Sequence, residues 1–553
     1  MDSTAAPIPA QAPAKAGLEP GFVHACAALA LALAALTRLP YFVGLDFPLN
    51  DGGLFLAMAD AIRDAGFVLP ERVDYNGHGL PFAYPPVAFY LTAILAQVFG
   101  IETLSVQLYL PLVFNLLTVV LFVYVAARLV DDRATLFFAA AAMPLNPRSY
   151  EWLIMGGGLT RSPGMFLAFV ALALALRIRS APDAAQRTRW AIACTIAMGL
   201  AFATHLEWGI TAWVTTAVTL LCAERSRRQL ALVVAMGFGI GLVSAPWWIT
   251  VLARHGLDPF LAATATGGWE NTSFFARIQS FDLFTRRNTW IGVFAAIGLG
   301  LSLHQRRFMP VIWLFAIWAT TPRHGATAAV APVSLMIGGA MAWLSDWTSR
   351  AIREAWQARR GAPSPSTDPA GFPLVHALAF IVLFACIAND TSEFHEFETL
   401  TPITAEERAG MAWIREHAGP DDRFLVVSSA RDWAIDRVAE WFPVLAGRTA
   451  SNTAQGLEWV HDGSFADVRI KGDVLRQVVN TSPSSAPIIG RKIFDGDHDY
   501  VAVFAEPGAP LIASYNASSR YELVHEQPHL SVYRIRTVLV SDVQPSSPPS
   551  GNP

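Results

Sequence analysis

Residues 22–43 read FVHACAALALALAALTRLPYFV and residues 44–60 read GLDFPLNDGGLFLAMAD. A bilayer's hydrocarbon core is about 30 Å thick, so a spanning helix needs about 20 mostly apolar residues, and the first stretch supplies them. It is too long, and too poor in preceding basic residues, for a cleaved signal peptide, and is expected to remain as a span. The second stretch turns abruptly polar and carries three acids, Asp46, Asp51 and Asp60. A span feeding an acid-bearing loop points to a membrane protein whose chemistry sits at the ends of its helices.

The rest of the chain extends this reading. Of 553 residues, 53% are hydrophobic and 15% charged, against about 25% charged in a typical soluble protein. That excludes a disordered or nucleic-acid-binding chain. Further apolar stretches lie near 86–100, 106–127, 134–146, 162–176, 190–205, 208–223, 229–252, 289–304, 308–320, 325–345 and 372–388, making twelve with the first. The cysteines Cys26, Cys194, Cys222 and Cys386 all fall inside such runs without paired spacing, and read as small core residues.

Charge decides how many stretches cross, because short cytoplasmic loops are enriched in Lys and Arg. With the N-terminus inside and 86–100 not crossing, the cytoplasmic loops carry fifteen arginines and the opposite loops nine. If 86–100 crosses, every later loop changes side and the rule is violated. About eleven transmembrane helices are therefore expected. Tyr84-Pro85-Pro86 and the apolar run after it become an interfacial helix beneath the outer loop 44–85.

Eleven crossings deliver the chain from 390 onward to the outside. Residues 1–389 hold 26 Lys/Arg and 21 Asp/Glu, whereas 390–553 hold 14 and 23. The division expected is a disordered cytoplasmic head (1–20), a transmembrane domain (21–390), an extracytoplasmic α/β domain (391–540) and a disordered tail (541–553). Within the α/β domain, Thr404 and Glu407 have capping-box spacing ahead of a helix over 405–417. Residues 423–429, 499–505 and 530–536 have strand composition.

Several outer groups could carry chemistry. The pattern becomes helical from Gly52, which puts Asp51 at an N-cap, a role compatible with acid/base work because a cap uses one carboxylate oxygen. Gly156-Gly157-Gly158-Leu159-Thr160-Arg161 offers glycines that let backbone approach a ligand and an arginine fork that matches phosphate; alternatively it is a hinge with a snorkelling arginine. His205 and Glu207 stand at a span end and should face a polar cavity, though two residues apart they do not share a helix face. Arg323-His324 lies between two short spans on the same side. In the tail, Glu440-Trp441 and Glu458-Trp459 could stack on and bond a sugar, but buried tryptophans with bonded N–H groups are the commoner explanation and the one adopted. Asp495, Asp497 and Asp499 read as a solvated turn.

The first-loop acid, Tyr84-Pro85-Pro86 before an apolar run, Thr204-His205-Leu206-Glu207 at a span end and the outer Thr404-Ala405-Glu406-Glu407 helix, in this order, resemble the GT-C superfamily of membrane glycosyltransferases. The likeness is to the protein mannosyltransferases and aminoarabinose transferases, and it covers roughly residues 22–430. It implies a multi-pass protein of the inner or plasma membrane. The implied activity is inverting transfer of a sugar from a polyprenyl-phosphate donor to an acceptor glycan, lipid or protein at the outer face. Asp51 becomes the general base, with Asp46 as fallback. Tyr84, Arg161, His205, Glu207, Arg323 and His324 become the substrate-binding groups. Many members pair the first-loop Asp with an adjacent acid, where this chain has Gly52. No metal and no cofactor beyond the lipid-linked substrate is therefore expected, and the only other partners expected are membrane lipids. Two rivals stand beside this reading. One is a transporter or lipid-linked-sugar flippase, which would place ionisable residues near mid-membrane. The other is a non-catalytic scaffold whose tail binds a glycan or partner.

Overall fold

The computed structural model describes residues 18–266, 289–321, 324–360, 372–392 and 398–536. Each of the twelve apolar stretches is helical. In the membrane region the helices are α1 (Pro20–Arg38), α2 (Gly53–Asp64), α3 (Val87–Phe99), α4 (Thr103–Ala126), α5 (Arg133–Leu145), α6 (Gly158–Arg179), α7 (Ala184–Thr204), α8 (Leu206–Ala223), α9 (Arg227–His255), α10 (Asp258–Thr266), α11 (Thr289–His304), α12 (Phe308–Thr320), α13 (Gly325–Ala328), α14 (Val330–Arg360) and α15 (Phe372–Ser392). Six described helices are long and apolar enough to cross a membrane: Pro20–Phe42, which is α1 with its following turn, then α4, α6, α8, α9 and Leu374–Thr391 within α15. Helices α3, α5, α11 and α12 are apolar but shorter.

Lipid gives helices no hydrophobic reason to associate, so packing depends on small residues that let backbones close together. Helix α5 shows this, with Ala139, Ala140, Ala141 and Ala142 wholly buried against α1 and α14. Loop contacts follow the two sides expected from charge. Arg133 pairs with Glu19 at 2.9 Å, Arg307 with Asp131 at 3.6 Å and Arg187 with Glu224 at 3.3 Å. These join only loops assigned to the inner side. On the opposite side Arg254, at the end of α9, donates to the Leu69 carbonyl in the first loop at 2.8 Å.

Helix α3 starts and ends on that opposite side. Tyr84, just before it, bonds Thr160 at the start of α6, and Thr103, just after it, donates to Asp60 in α2 at 3.0 Å. Its 13 residues are fewer than a spanning helix needs, but so are those of α5 and α12, and length alone does not separate it from them. Phe89, Ala88 and Ala93 pack beneath Leu54, Phe55 and Met58 of α2.

Beyond the membrane region come α16 (Ala405–His417), β3 (Arg423–Val427), α17 (Arg437–Leu445), β4 (Thr449–Ala450), α18 (Ser464–Thr481), α19 (Ala486–Ile493), β5 (Tyr500–Val503), α20 (Pro510–Asn516), β6 (Tyr521–Gln527) and β7 (Leu530–Ile535). The Thr404/Glu407 capping box forms. The three expected strands are present within a residue or two of their expected ends. They belong to a five-stranded sheet of order β4-β3-β5-β7-β6, parallel from β4 to β5 and antiparallel beyond. Strands β4 and β6 lay outside the expectation: β4 has two residues, and β6 is exposed along most of its length. This domain sits directly on the first loop, where β1 (Arg72–Tyr75) and β2 (His78–Pro81) form a hairpin. Asn76 at its turn exchanges hydrogen bonds with the backbone of Ala450.

Candidate active site

Asp51 lies in the turn between α1 and α2, at 8% exposure. It does not cap α2, as the spacing had suggested. Gly52 is the N-cap residue and no side chain caps the helix. The Asp51 carboxylate turns instead toward the glycine loop before α6. Oδ1 accepts the Gly157 N–H at 2.6 Å, and Oδ2 faces Arg161 Nη2 at 3.3 Å. A Cβ on Gly157 would stand 2.2 Å from Oδ2, so the approach is open to glycine alone. The glycines do bring backbone against an anion, but the anion they hold is the chain's own carboxylate. Arg161 likewise has its fork engaged, with Nη1 on the Trp152 carbonyl at 3.3 Å.

The Asn50–Gly52 turn is gripped from every direction. Gln107 of α4 donates to the Gly52 carbonyl at 2.7 Å, and Asn50 N–H donates to the Thr401 carbonyl at 3.0 Å. From α17, the Trp441 indole donates to the Asn50 carbonyl at 2.8 Å, while the Glu440 carboxyl accepts the Gly52 N–H at 2.9 Å. Gly52 has φ +129°, and a Cβ there would meet Gln107 at 2.1 Å.

Asp51 opens onto a cavity of about 820 Å³ between the membrane helix ends and the C-terminal domain. Tyr84, Arg161, His205, Glu207 and His324 line the same cavity. Every expected site residue among the described residues is thus brought together, while Arg323 lies outside them. His205 and Glu207 reach one wall because the helix breaks between them. His205, at φ −157° and ψ 118°, ends α7 and starts α8, so the two residues do not sit on one continuous helix. Glu207 pairs with His324 Nε2 at 3.2 Å, and the His205 and His324 rings stand 5.5 Å apart. Asp46, the fallback base, pairs instead with Arg408 on the exposed side of the domain.

The C-terminal domain contributes the opposite wall with Trp433, Gln455, Glu458, Trp459 and Glu440. The tail motifs, expected to be structural, thus also border the cavity. Trp441 fits that expectation, being fully buried with its N–H bonded. Trp459 is buried as well, and with Glu440 it reaches the cavity wall. Burial first, then the nearby negative charge of Asp51, pushes the Glu440 carboxyl up to about 8. A carboxyl in that range holds its proton at neutral pH. Arg148 and Trp152, from the loop before α6, also line the cavity and had no distinguishing spacing in the sequence.

No family model matches this chain, and no curated protein matches it in sequence. Solved structures do match its fold. ArnT from Cupriavidus metallidurans in the apo state aligns over 93% of this chain and 97% of its own length, at 17% identity and a TM-score of 0.51. The Archaeoglobus fulgidus oligosaccharyltransferase in complex with Zn and sulfate aligns over 86% of this chain and 67% of its own length, at 14% identity and a TM-score of 0.50. Its apo form covers 88% and 70% at the same identity and score. The chain therefore has the fold shared by these two proteins.

Proposed function

We propose that this protein transfers a sugar from a polyprenyl-phosphate carrier to an acceptor hydroxyl at the outer face of the membrane, with Asp51 as general base. The observation that carries this reading is a buried carboxylate, fixed by a backbone N–H and an arginine, on the wall of a large cavity at the helix ends. The cavity also has apolar lining, with Leu54, Phe55, Phe202, Leu206 and Ile210, and suits a lipid tail. Arg148, Arg161 and the His205–His324 pair can meet a phosphate at headgroup level.

In the reaction proposed, the acceptor oxygen attacks the anomeric carbon and the bond from that carbon to the phosphate oxygen breaks. The acceptor proton passes to Asp51, and the polyprenyl phosphate leaves with the bonding electrons, its charge met by the arginines. A single displacement inverts the anomeric centre. No divalent metal is called for in this scheme, in which the leaving group is already a phosphate and Arg148 and Arg161 lie on the cavity wall. The scheme takes over the orientation expected from loop charge: the N-terminus cytoplasmic, eleven crossings, and the C-terminal domain outside.

A positioned base typically contributes 10² to 10⁴-fold. Asp51→Asn should therefore lose sugar transfer by about that factor in membranes supplied with a polyprenyl-phosphate sugar. Full transfer by Asp51→Asn would sink the assignment.

A further inference from the structure

The strongest unassigned feature is a buried carboxyl of the C-terminal domain beside the base. Glu440 is 6% exposed, on α17, and its Oε1 takes the N–H of Gly52, the residue next to Asp51. Its backbone is held as well, since the Tyr75 hydroxyl from β1 donates to the Glu440 carbonyl at 2.6 Å. The neighbouring Trp441 holds the Asn50 carbonyl on the other flank of Asp51. Two consecutive residues of α17 thus bracket the base. The contact is close: a Cβ on Gly53 would lie 2.8 Å from the Glu440 carbonyl oxygen.

We propose that the C-terminal domain completes the active site through Glu440, a positioning residue whose carboxyl fixes the Asn50–Gly52 turn and with it the aim of Asp51. This rests on the reading of Asp51 as base. The charged and titratable groups facing Glu440 are Asp51 on the first loop, Arg161 on α6, Glu458 in the turn after β4, and the Tyr75 phenol, which burial keeps protonated. Two of these are carboxyl groups and only one is a cation. A second negative charge at Glu440 would oppose both Asp51 and an incoming phosphate. As pH rises through about 8, where Glu440 loses its proton, donor binding and transfer should fall. The device makes one carboxyl the base and keeps its neighbour neutral, so that the neighbour holds the turn without adding charge.

Gln reproduces the carbonyl oxygen that takes the Gly52 N–H and never ionises, whereas Ala removes that acceptor. The experiment measures initial rates of transfer from a polyprenyl-phosphate sugar against pH, with the full chain in nanodiscs and thermal unfolding recorded for each variant. Glu440→Ala is expected to lose about tenfold in kcat near pH 7 with little change in KM for the donor. Glu440→Gln is expected to keep kcat near pH 7 and to lack the alkaline limb of the wild-type profile. Three outcomes would overturn the inference: wild-type kcat in Glu440→Ala, an unchanged alkaline limb in Glu440→Gln, or a divalent-metal requirement that Glu440→Gln abolishes, which would make the carboxyl a ligand. If Glu440→Ala does not fold, the Gln profile alone decides. Failure of the underlying assignment looks different, because Asp51→Asn would then be fully active whatever Glu440 does.

Discussion

At the scale of single residues, the site depends on how closely backbone can approach Asp51. Gly157 is the sharpest case. An alanine methyl there would overlap Asp51 Oδ2 at 2.2 Å, and the carboxylate would have to swing away from both its N–H donor and Arg161. Misplacement of a reacting group by about 1 Å can cost 10²-fold. Gly157→Ala should therefore transfer sugar about 10²-fold more slowly, and unfold at a lower temperature, because a buried carboxylate left unpaired costs about 1–3 kcal/mol. Gly241→Ala, whose added methyl meets open space in α9, is the control expected to be unchanged. Equal activity in the two variants would show that the Gly157 contact does not set the base.

The same contacts explain what could be read in the chain beforehand. Asp51, Tyr84, Arg161, His205, Glu207 and His324 were legible because polar groups at the ends of apolar runs must face something polar. Which of them touch was not. A loop of glycines that can cradle a phosphate can equally cradle a side-chain carboxylate, and nothing in its spacing separates the two. Glu440 was harder still, since its contact with Gly52 joins residues 388 positions apart. Its neighbours Trp441 and Phe442 are ordinary buried aromatics, so its surroundings in sequence look like core.

At the scale of elements, the loop carrying Gly157 has to be held as firmly as the base. Its anchor is Arg38 at the end of α1, a wholly buried guanidinium. Arg38 donates to Asn115 Oδ1 at 2.7 Å, the Pro144 carbonyl at 2.8 Å and Ser149 Oγ at 2.7 Å, and lies 4.7 Å from the centre of the Tyr150 ring. Asn115 in turn donates to the Ser149 carbonyl at 2.7 Å. One arginine thus joins α1, α4, the end of α5 and the segment that runs on to the glycine loop. Arg38→Leu would take a donor from these three acceptors and from Thr37 Oγ1 as well, and a buried polar group left unpaired costs about 1–3 kcal/mol. The expected result is destabilisation of about 3 kcal/mol in detergent unfolding, with sugar transfer falling in step. An unchanged melting temperature would mean that the loop is held by its apolar contacts alone. From sequence, Arg38 was one basic residue near the end of an apolar run, indistinguishable from a headgroup-facing arginine.

At the scale of the molecule, the cavity exists only because the C-terminal domain closes over the helix ends, and that arrangement requires both to be on the same side of the membrane. The charge division between the two parts of the chain and the arginine bias of the loops point the same way. Both depend on α3 failing to cross, since one extra crossing reverses every later loop. Accessible cysteines decide it. In a background carrying Cys222→Ala and Cys386→Ala, with Cys26 and Cys194 buried, single cysteines can be placed at the exposed positions Arg225 and Ser519. A membrane-impermeant maleimide applied to intact spheroplasts should label the Ser519→Cys protein and spare Arg225→Cys until the membrane is permeabilised. The reverse pattern would turn the whole molecule over, with its N-terminus outside and the cavity on the cytoplasmic side. A donor presented at the outer leaflet would then be out of reach of Asp51, so this labelling tests the proposed chemistry as well as the topology.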